Sequence, residues 1–208
     1  MAEQPTVAEA IAAWGNGDVF VERFLPSARH VEIQVIADGQ GGVSHVWDRD
    51  CSIQRRNQKI LEVAPSPNLS DVLRQKIIDA ALRMAIEANY QSLGTFEFLI
   101  DAGTANDDDG TFAFIEVNPR LQVEHTVTEA VTGVDLVKAQ LQIAQGASLV
   151  EVGLDQTNIP EPAGYAIQAR INMETLAPDG SVRPSTGTLT AFAPPPEADY
   201  RVDTLGYP

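Results

Sequence analysis

The sequence predicts an α+β fold. Alternating strand-like segments occur in hairpin pairs, helical segments lie between the pairs, and strand and helix do not alternate regularly. No internal repeat or heptad pattern is present.

Taken in order, residues 6–14 form a short Ala-rich helix punctuated by Gly15 and Gly17. Val31, Ile33 and Val35 alternate with His30, Glu32 and Gln34, the period of a half-buried strand. The turn signal "DGQGG" at 38–42 lets "VSHVWDRD" return as its partner. "SPNLSD" breaks the chain, and Ser70 is placed to cap a helix over 71–89, where Leu73, Ile77, Ala81, Met84 and Ala85 share one face. A second hairpin joins "GTFEFLI" to "TFAFIEVN" through the acidic turn "DAGTANDDDG". Residues 127–146 are helical, interrupted near Gly133 and ended by Gly146. "TNIPEPAG" at 157–164 is a connection, "YAIQARINME" a strand, and "PSTGTLTAFAPPP" a short strand between Pro-rich loops.

With 208 residues and 44% hydrophobic content, the chain has room for one large domain or one and a half, with a real core. Its formal net charge of -15 excludes a general nucleic-acid or anionic-membrane binder, which needs excess Lys and Arg. ATP is compatible, because it needs only a few placed cations and a metal. Cys51 is the single cysteine, so an intrachain disulfide and a cysteine-based zinc cluster are excluded. A reducing compartment fits, the cytoplasm first, with the mitochondrion left open. No run approaches the roughly 18 apolar residues of a membrane span. Residues 1–20 carry no secretory signal pattern.

Three segments can carry chemistry. In the second hairpin Phe112, Phe114, Glu116 and Asn118 share a face, and Glu97 sits on the partner strand. Two carboxylates and an amide suit a hard divalent cation. They equally suit two solvent-facing glutamates on an ordinary hairpin. In "EVNPRLQVEH" at 116–125, Glu116, Asn118, Arg120, Gln122 and Glu124 fall at every second position. An extended chain aims all five at one side. That row suits a polar cleft for a metal and a small anion, with Arg120 able to grip a planar anion and Glu124 able to act as a base. The alternative is a solvated extended loop. The third segment, "RDCSIQRRNQK" at 49–59, gathers Arg49, Arg55, Arg56 and Lys59, four of the chain's 14 Lys and Arg. It faces phosphate, or it is a surface loop paired with acids.

"RHVEIQVIADGQG", "RDCSIQRRNQK", "GTFEFL", "FIEVNPRLQVEHTVTEAVTGVDLVKAQL" and "ARIN" resemble, in order and spacing, the biotin carboxylases. These are the ATP-grasp components of acetyl-CoA, propionyl-CoA and pyruvate carboxylases. The resemblance runs from about residue 18 onward. It implies part of an ATP-grasp domain over 1–150, an antiparallel sheet with helices, and the start of the biotin carboxylase C-terminal domain over 151–208. It also implies a ligase reaction, in which ATP and bicarbonate form carboxyphosphate and N1′ of biotin is then carboxylated. The implied cofactors are ATP, Mg²⁺ or Mn²⁺, and biotin on a carrier domain. The implied partners are that carrier, a carboxyltransferase component, and a second copy or a larger complex.

The resemblance also implies roles by position. Glu22, Arg23 and Leu25 lie at the adenine hinge, and His30 and Gln54 lie near the ribose. Lys59 meets phosphate or bicarbonate. Glu97 and Glu116 hold metal with Asn118 beside them. Arg120, Gln122 and the backbone of Val123 bind bicarbonate. Glu124 is the base, and Arg170 stabilises the biotin enolate. Asn57 stands where many members have a His near the nucleotide phosphates, which puts any charge at that point in doubt. Pro119 replaces a Thr found in some members. The family's N-terminal domain, Gly-rich flap and upstream lysines have no counterpart in the 208 residues, so the chain alone is expected to be inactive. A carbamoyl-phosphate synthase half and a non-catalytic remnant are the alternatives.

Overall fold

Strand β1 (Ala28–Asp38) runs between β2 (Val43–Arg55) and β4 (Gln91–Asp101), antiparallel to both. With β3 (Gln58–Ala64), β5 (Phe112–Asn118) and β6 (Ala166–Ala169) they form a six-stranded sheet of order β5-β4-β1-β2-β3-β6. The structure, a computed structural model, describes residues 7–19, 23–193 and 200–204. Two compact units divide the chain, 1–168 and 169–208.

The period-2 pattern sorts the sheet's two faces. Val31, Ile33 and Val35 join Phe96, Phe98 and Ile100 under helix α2 (Asp71–Glu87), which contributes Leu73, Ile77, Ala81 and Ala85. Ser70 caps α2 as predicted, accepting from the Leu73 amide. On the opposite face Ile36, Val46 and Leu93 meet Leu136, Ala139 and Ile143 of α4 (Leu136–Ala144). Helix α3 (His125–Thr132) packs Val127 and Val131 against Ala64. The break between α3 and α4 falls at Gly133, whose φ of 73° ends α3 in the left-handed region. The predicted helix over 6–14 is α1 (Val7–Trp14), with no buried residue.

Four expectations are corrected. Strand β1 is buried on both faces, with Glu32 and Gln34 at 0% exposure, because Arg49 bonds both and is itself bonded by Thr128 from the segment 125–132. The segment 49–59 is a hairpin and not a loop. Arg56 and Asn57, both at positive φ, form a two-residue turn whose twist suits the strands β2 and β3. Residues 119–124 are not extended: the Arg120 amide bonds back to the Asn118 carbonyl at 2.8 Å, and the chain then turns into α3. In the smaller unit, β7 (Glu174–Leu176) pairs with β8 (Val182–Pro184), and the strand expected within 184–196 is not formed over its described part, 185–193.

The compact units part at 168/169. Residues 151–168 stay with the sheet because Leu154 joins the α4 cluster and the Pro160 carbonyl accepts from Trp47 Nε1 at 2.8 Å.

Burial drives the His45 imidazole down to about 4 from its ordinary 6.5, with Asp79 opposing, and its Nδ1 accepts from the Trp47 amide. The unfolded chain takes up this proton below pH 6.5 and the folded chain refuses it until about 4. Stability is therefore whole above 6.5 and falls by about 3 kcal/mol as pH drops to 4. Urea titrations at pH 7 and 4.5 should show a smaller acid loss in His45→Gln than in the unsubstituted chain. Equal losses would contradict the assignment.

Candidate functional site

Strand register builds a row of acids across the sheet. Glu32 on β1 stands directly opposite Glu97 on β4, which stands opposite Glu116 on β5. Like charges so placed repel unless cations lie between them. Lys59, in β3 and paired with Gln54 of β2, answers that need. Its ammonium lies 2.5 Å from Glu32 Oε2, 3.0 Å from Glu97 Oε1 and 2.7 Å from Glu124 Oε1. Glu124 arrives from the loop that enters α3. Arg49 takes the other oxygen of Glu32 at 2.5 Å.

The amides complete the cluster. Asn118 Nδ2 donates to Glu97 Oε1 at 2.9 Å and to Glu116 Oε1 at 3.0 Å. Gln122 Nε2 donates to Glu97 Oε1 at 3.2 Å, while Gln122 Oε1 is a buried acceptor with no donor in reach among the described residues. His30 Nε2 lies 2.5 Å from Glu97 Oε2, and Gln54 Nε2 is 2.8 Å from His30 Nδ1.

The electrostatics follow from these contacts. Burial alone would raise the Glu97 carboxyl, but His30 and Lys59 outweigh it and bring the group to about 2. Burial would likewise raise Glu124, and Lys59 holds it below the usual range instead. Burial opposes the Lys59 charge, yet Glu32 and Glu124 push its pKa up, so it stays an ammonium.

The cluster therefore holds Glu97 and Glu124 ionised around the shared Lys59 ammonium. Its donors are mainly oxygen, with Glu97 and Glu116 facing each other and an acceptor at Gln122 left over, which fits a hard divalent ion. A ring nitrogen of His30 and one oxygen each of Glu32 and Glu97 also lie within 4.8 Å of one another.

Of the residues singled out from sequence, the fold brings together His30, Gln54, Lys59, Glu97, Glu116, Asn118, Gln122 and Glu124. Arg120 is not among them. It is exposed, with Nη1 3.3 Å from the Leu121 carbonyl, because the bend after Asn118 breaks the alternation. Val123 is 62% exposed. Asn57 sits in the β2–β3 turn, and Arg23 and Leu25 precede β1. Glu22 lies outside the described residues, and Arg170 is half-buried in the smaller unit.

Glu32 was missed as a site residue, and Arg49 was read only as one member of a basic run facing phosphate or surface acids. The available signal was the polar run His30, Glu32, Gln34 on a strand whose other face is wholly apolar. Such a run is read as a solvated face unless its buried partners are known.

Residues 2–152 match the family described as carbamoyl-phosphate synthase L chain, ATP binding domain. A biotin carboxylase of Nostoc sp. is 47% identical over 199 residues, 96% of this chain and 42% of that protein. A pyruvate carboxylase of Bacillus subtilis is 47% identical over 201 residues, 94% of this chain and 16% of that protein. The chain thus spans less than half of the relatives it matches.

Among solved structures, the biotin carboxylase domain dimer of Hydrogenobacter thermophilus 2-oxoglutarate carboxylase, in complex with MgADP, ADP and bicarbonate, superposes with a TM-score of 0.71. It shares 44% identity, over 81% of this chain and 35% of that one. By the match over residues 2–152 the chain belongs to the carbamoyl-phosphate synthase L chain ATP-binding domain family, and it is similar in sequence and fold to part of biotin carboxylases.

Proposed function

We propose that this chain supplies the metal- and bicarbonate-facing part of a biotin carboxylase site, a ligase that uses ATP and bicarbonate to carboxylate biotin on a carrier domain. One observation carries this: Lys59 is shared by three ionisable carboxylates beside a buried Gln122 acceptor. Such a cluster can take a metal, a phosphate and a small anion that carries its own hydroxyl. Phosphoryl transfer needs positioning and charge neutralisation more than a protein nucleophile.

Glu97 and Glu116, with Asn118 beside them, would hold Mg²⁺ or Mn²⁺, which when bound offsets phosphate charge. Arg120, Gln122 and the backbone of Val123 would bind the bicarbonate. For Arg120 this requires its side chain to swing in from solvent. Lys59 meets phosphate or bicarbonate, and Glu124 takes the bicarbonate proton. The freed oxygen attacks the γ-phosphorus as its bond to ADP breaks, giving carboxyphosphate. N1′ of biotin then takes the carboxyl carbon, and phosphate leaves with the N1′ proton.

Arg23, Leu25, His30, Gln54 and Asn57 would bind the nucleotide, and the resemblance gives Glu22 the same role. The domain assignment accompanies this: part of an ATP-grasp domain over 1–150 and the start of the C-terminal domain over 151–208. So do the carrier, the carboxyltransferase, a dimer or larger complex, and the cytoplasm or mitochondrion. Among the described residues no helix is long and apolar enough to cross a membrane.

Arg170 faces the developing biotin enolate in this scheme. In the complete protein, Arg170→Ala should lower biotin carboxylation about a hundredfold while MgATP affinity stays within a few fold. Equal losses in both would remove Arg170 from that role. A carbamoyl-phosphate synthase-like ligase is the second reading, because the matched family carries that description. Ammonia would then replace biotin as the acceptor of the activated carboxyl.

A further inference from the structure

We infer that Arg49 is a positioning residue for this site, setting Lys59 through Glu32 and Glu124 through Thr128, an inference that rests on the function proposed above. Its guanidinium is fully buried. Nε bonds Glu32 Oε1 at 2.5 Å, Nη1 bonds Gln34 Oε1 at 2.9 Å and Thr128 Oγ1 at 2.8 Å, and Nη2 reaches Thr95 Oγ1 at 3.3 Å. One planar fork thus ties β2 to β1, β4 and α3.

Two consequences reach the reacting groups. First, Glu32 offers one oxygen to Arg49 and the other to Lys59. With its charge half answered by Arg49, Glu32 does not hold Lys59 to itself, and the ammonium remains shared with Glu97 and Glu124. Second, Thr128 lies four residues after Glu124, on the same side of the first turn of α3. The Arg49–Thr128 bond therefore sets where that turn sits, and Glu124 with it.

Stability alone is a weak reason for such a residue. A buried ion pair replaced whole by apolar groups is often neutral or better. Its bonds fit the geometry of Lys59 and Glu124 more closely than the needs of the core.

The test uses the complete protein with bicarbonate-dependent ATP cleavage as readout. Thr128→Val removes one acceptor of Arg49, Thr128→Ser restores it, and Arg49→Lys keeps the charge but loses the fork. Thr128→Val should lower kcat about tenfold with the KM for MgATP within twofold, and Thr128→Ser should return kcat to near the unsubstituted value. Arg49→Lys should lower kcat about a hundredfold. If the unsubstituted protein cleaves ATP with bicarbonate but both Thr128→Val and Arg49→Lys keep their kcat, the inference is overturned and the function stands. If kcat falls only in step with the melting temperature and Thr128→Ser gives no rescue, Arg49 is structural and the inference is again overturned. No bicarbonate-dependent cleavage in the unsubstituted protein overturns the function and this inference with it.

Discussion

Glu124→Gln, in the complete protein, should lower bicarbonate-dependent ATP cleavage by about 10²- to 10⁴-fold while MgATP binding changes only a few fold. The substitution keeps the size of the side chain and removes its charge and basicity. Lys59 retains Glu32 and Glu97 as partners, so the cluster should stay assembled. The size of the effect follows from position. Glu124 is 2% exposed, its carboxylate is 2.7 Å from Lys59, and that contact keeps it ionised. An ionised carboxylate can accept a proton, but one held low is a weak base. In the proposed function the incoming anion would draw Lys59 toward itself, freeing Glu124 and raising its proton affinity. Turnover retained in Glu124→Gln would remove Glu124 from the role of base.

Lys59→Met should destabilise the chain by about 3–5 kcal/mol at pH 7 in metal-free buffer, because it leaves buried carboxylates facing one another with one cation fewer. The cluster's contribution to the pH dependence should also reverse. In the unsubstituted chain, Glu97 titrates at about 2 against an ordinary 4.5, so its contribution is whole above 4.5 and is lost as pH falls through 2. Without Lys59, burial and mutual repulsion raise the carboxyl pKa values in the folded state. The folded chain then binds more protons than the unfolded one, and stability falls as pH rises. The loss in urea midpoint of Lys59→Met relative to the unsubstituted chain should be smaller at pH 5 than at pH 7. An unchanged midpoint at pH 7, or a trend like that of the unsubstituted chain, would show that Lys59 is not the cluster's main counter-charge.

Much of the fold was legible because period and punctuation agreed with it. The Leu73–Ala85 stripe with Ser70 before it, and Gly133 within the later helical segment, are local signals that packing did not override. The acids and amides of the site were legible for a related reason, since Glu97, Glu116 and Asn118 sit on adjacent strands of one hairpin. What escaped depends on contacts distant in sequence. Glu32 and Arg49 look like surface residues until the Glu32–Arg49–Thr128 contacts are known. The Arg56–Asn57 turn hides inside a basic run, because an Arg at positive φ is an uncommon turn residue. Arg120 shows the limit of strict alternation. The bend after Asn118 takes it to the surface, while Gln122 and Glu124 still reach the cluster from the turn that follows.

The most direct test is to supply the complete protein with ATP, Mg²⁺ and free biotin, and to follow phosphate release with and without labelled bicarbonate. The proposed function predicts that release depends on bicarbonate and that label enters biotin. Release that ignores bicarbonate, or label that enters carbamoyl phosphate when ammonia is present and never enters biotin, would contradict it.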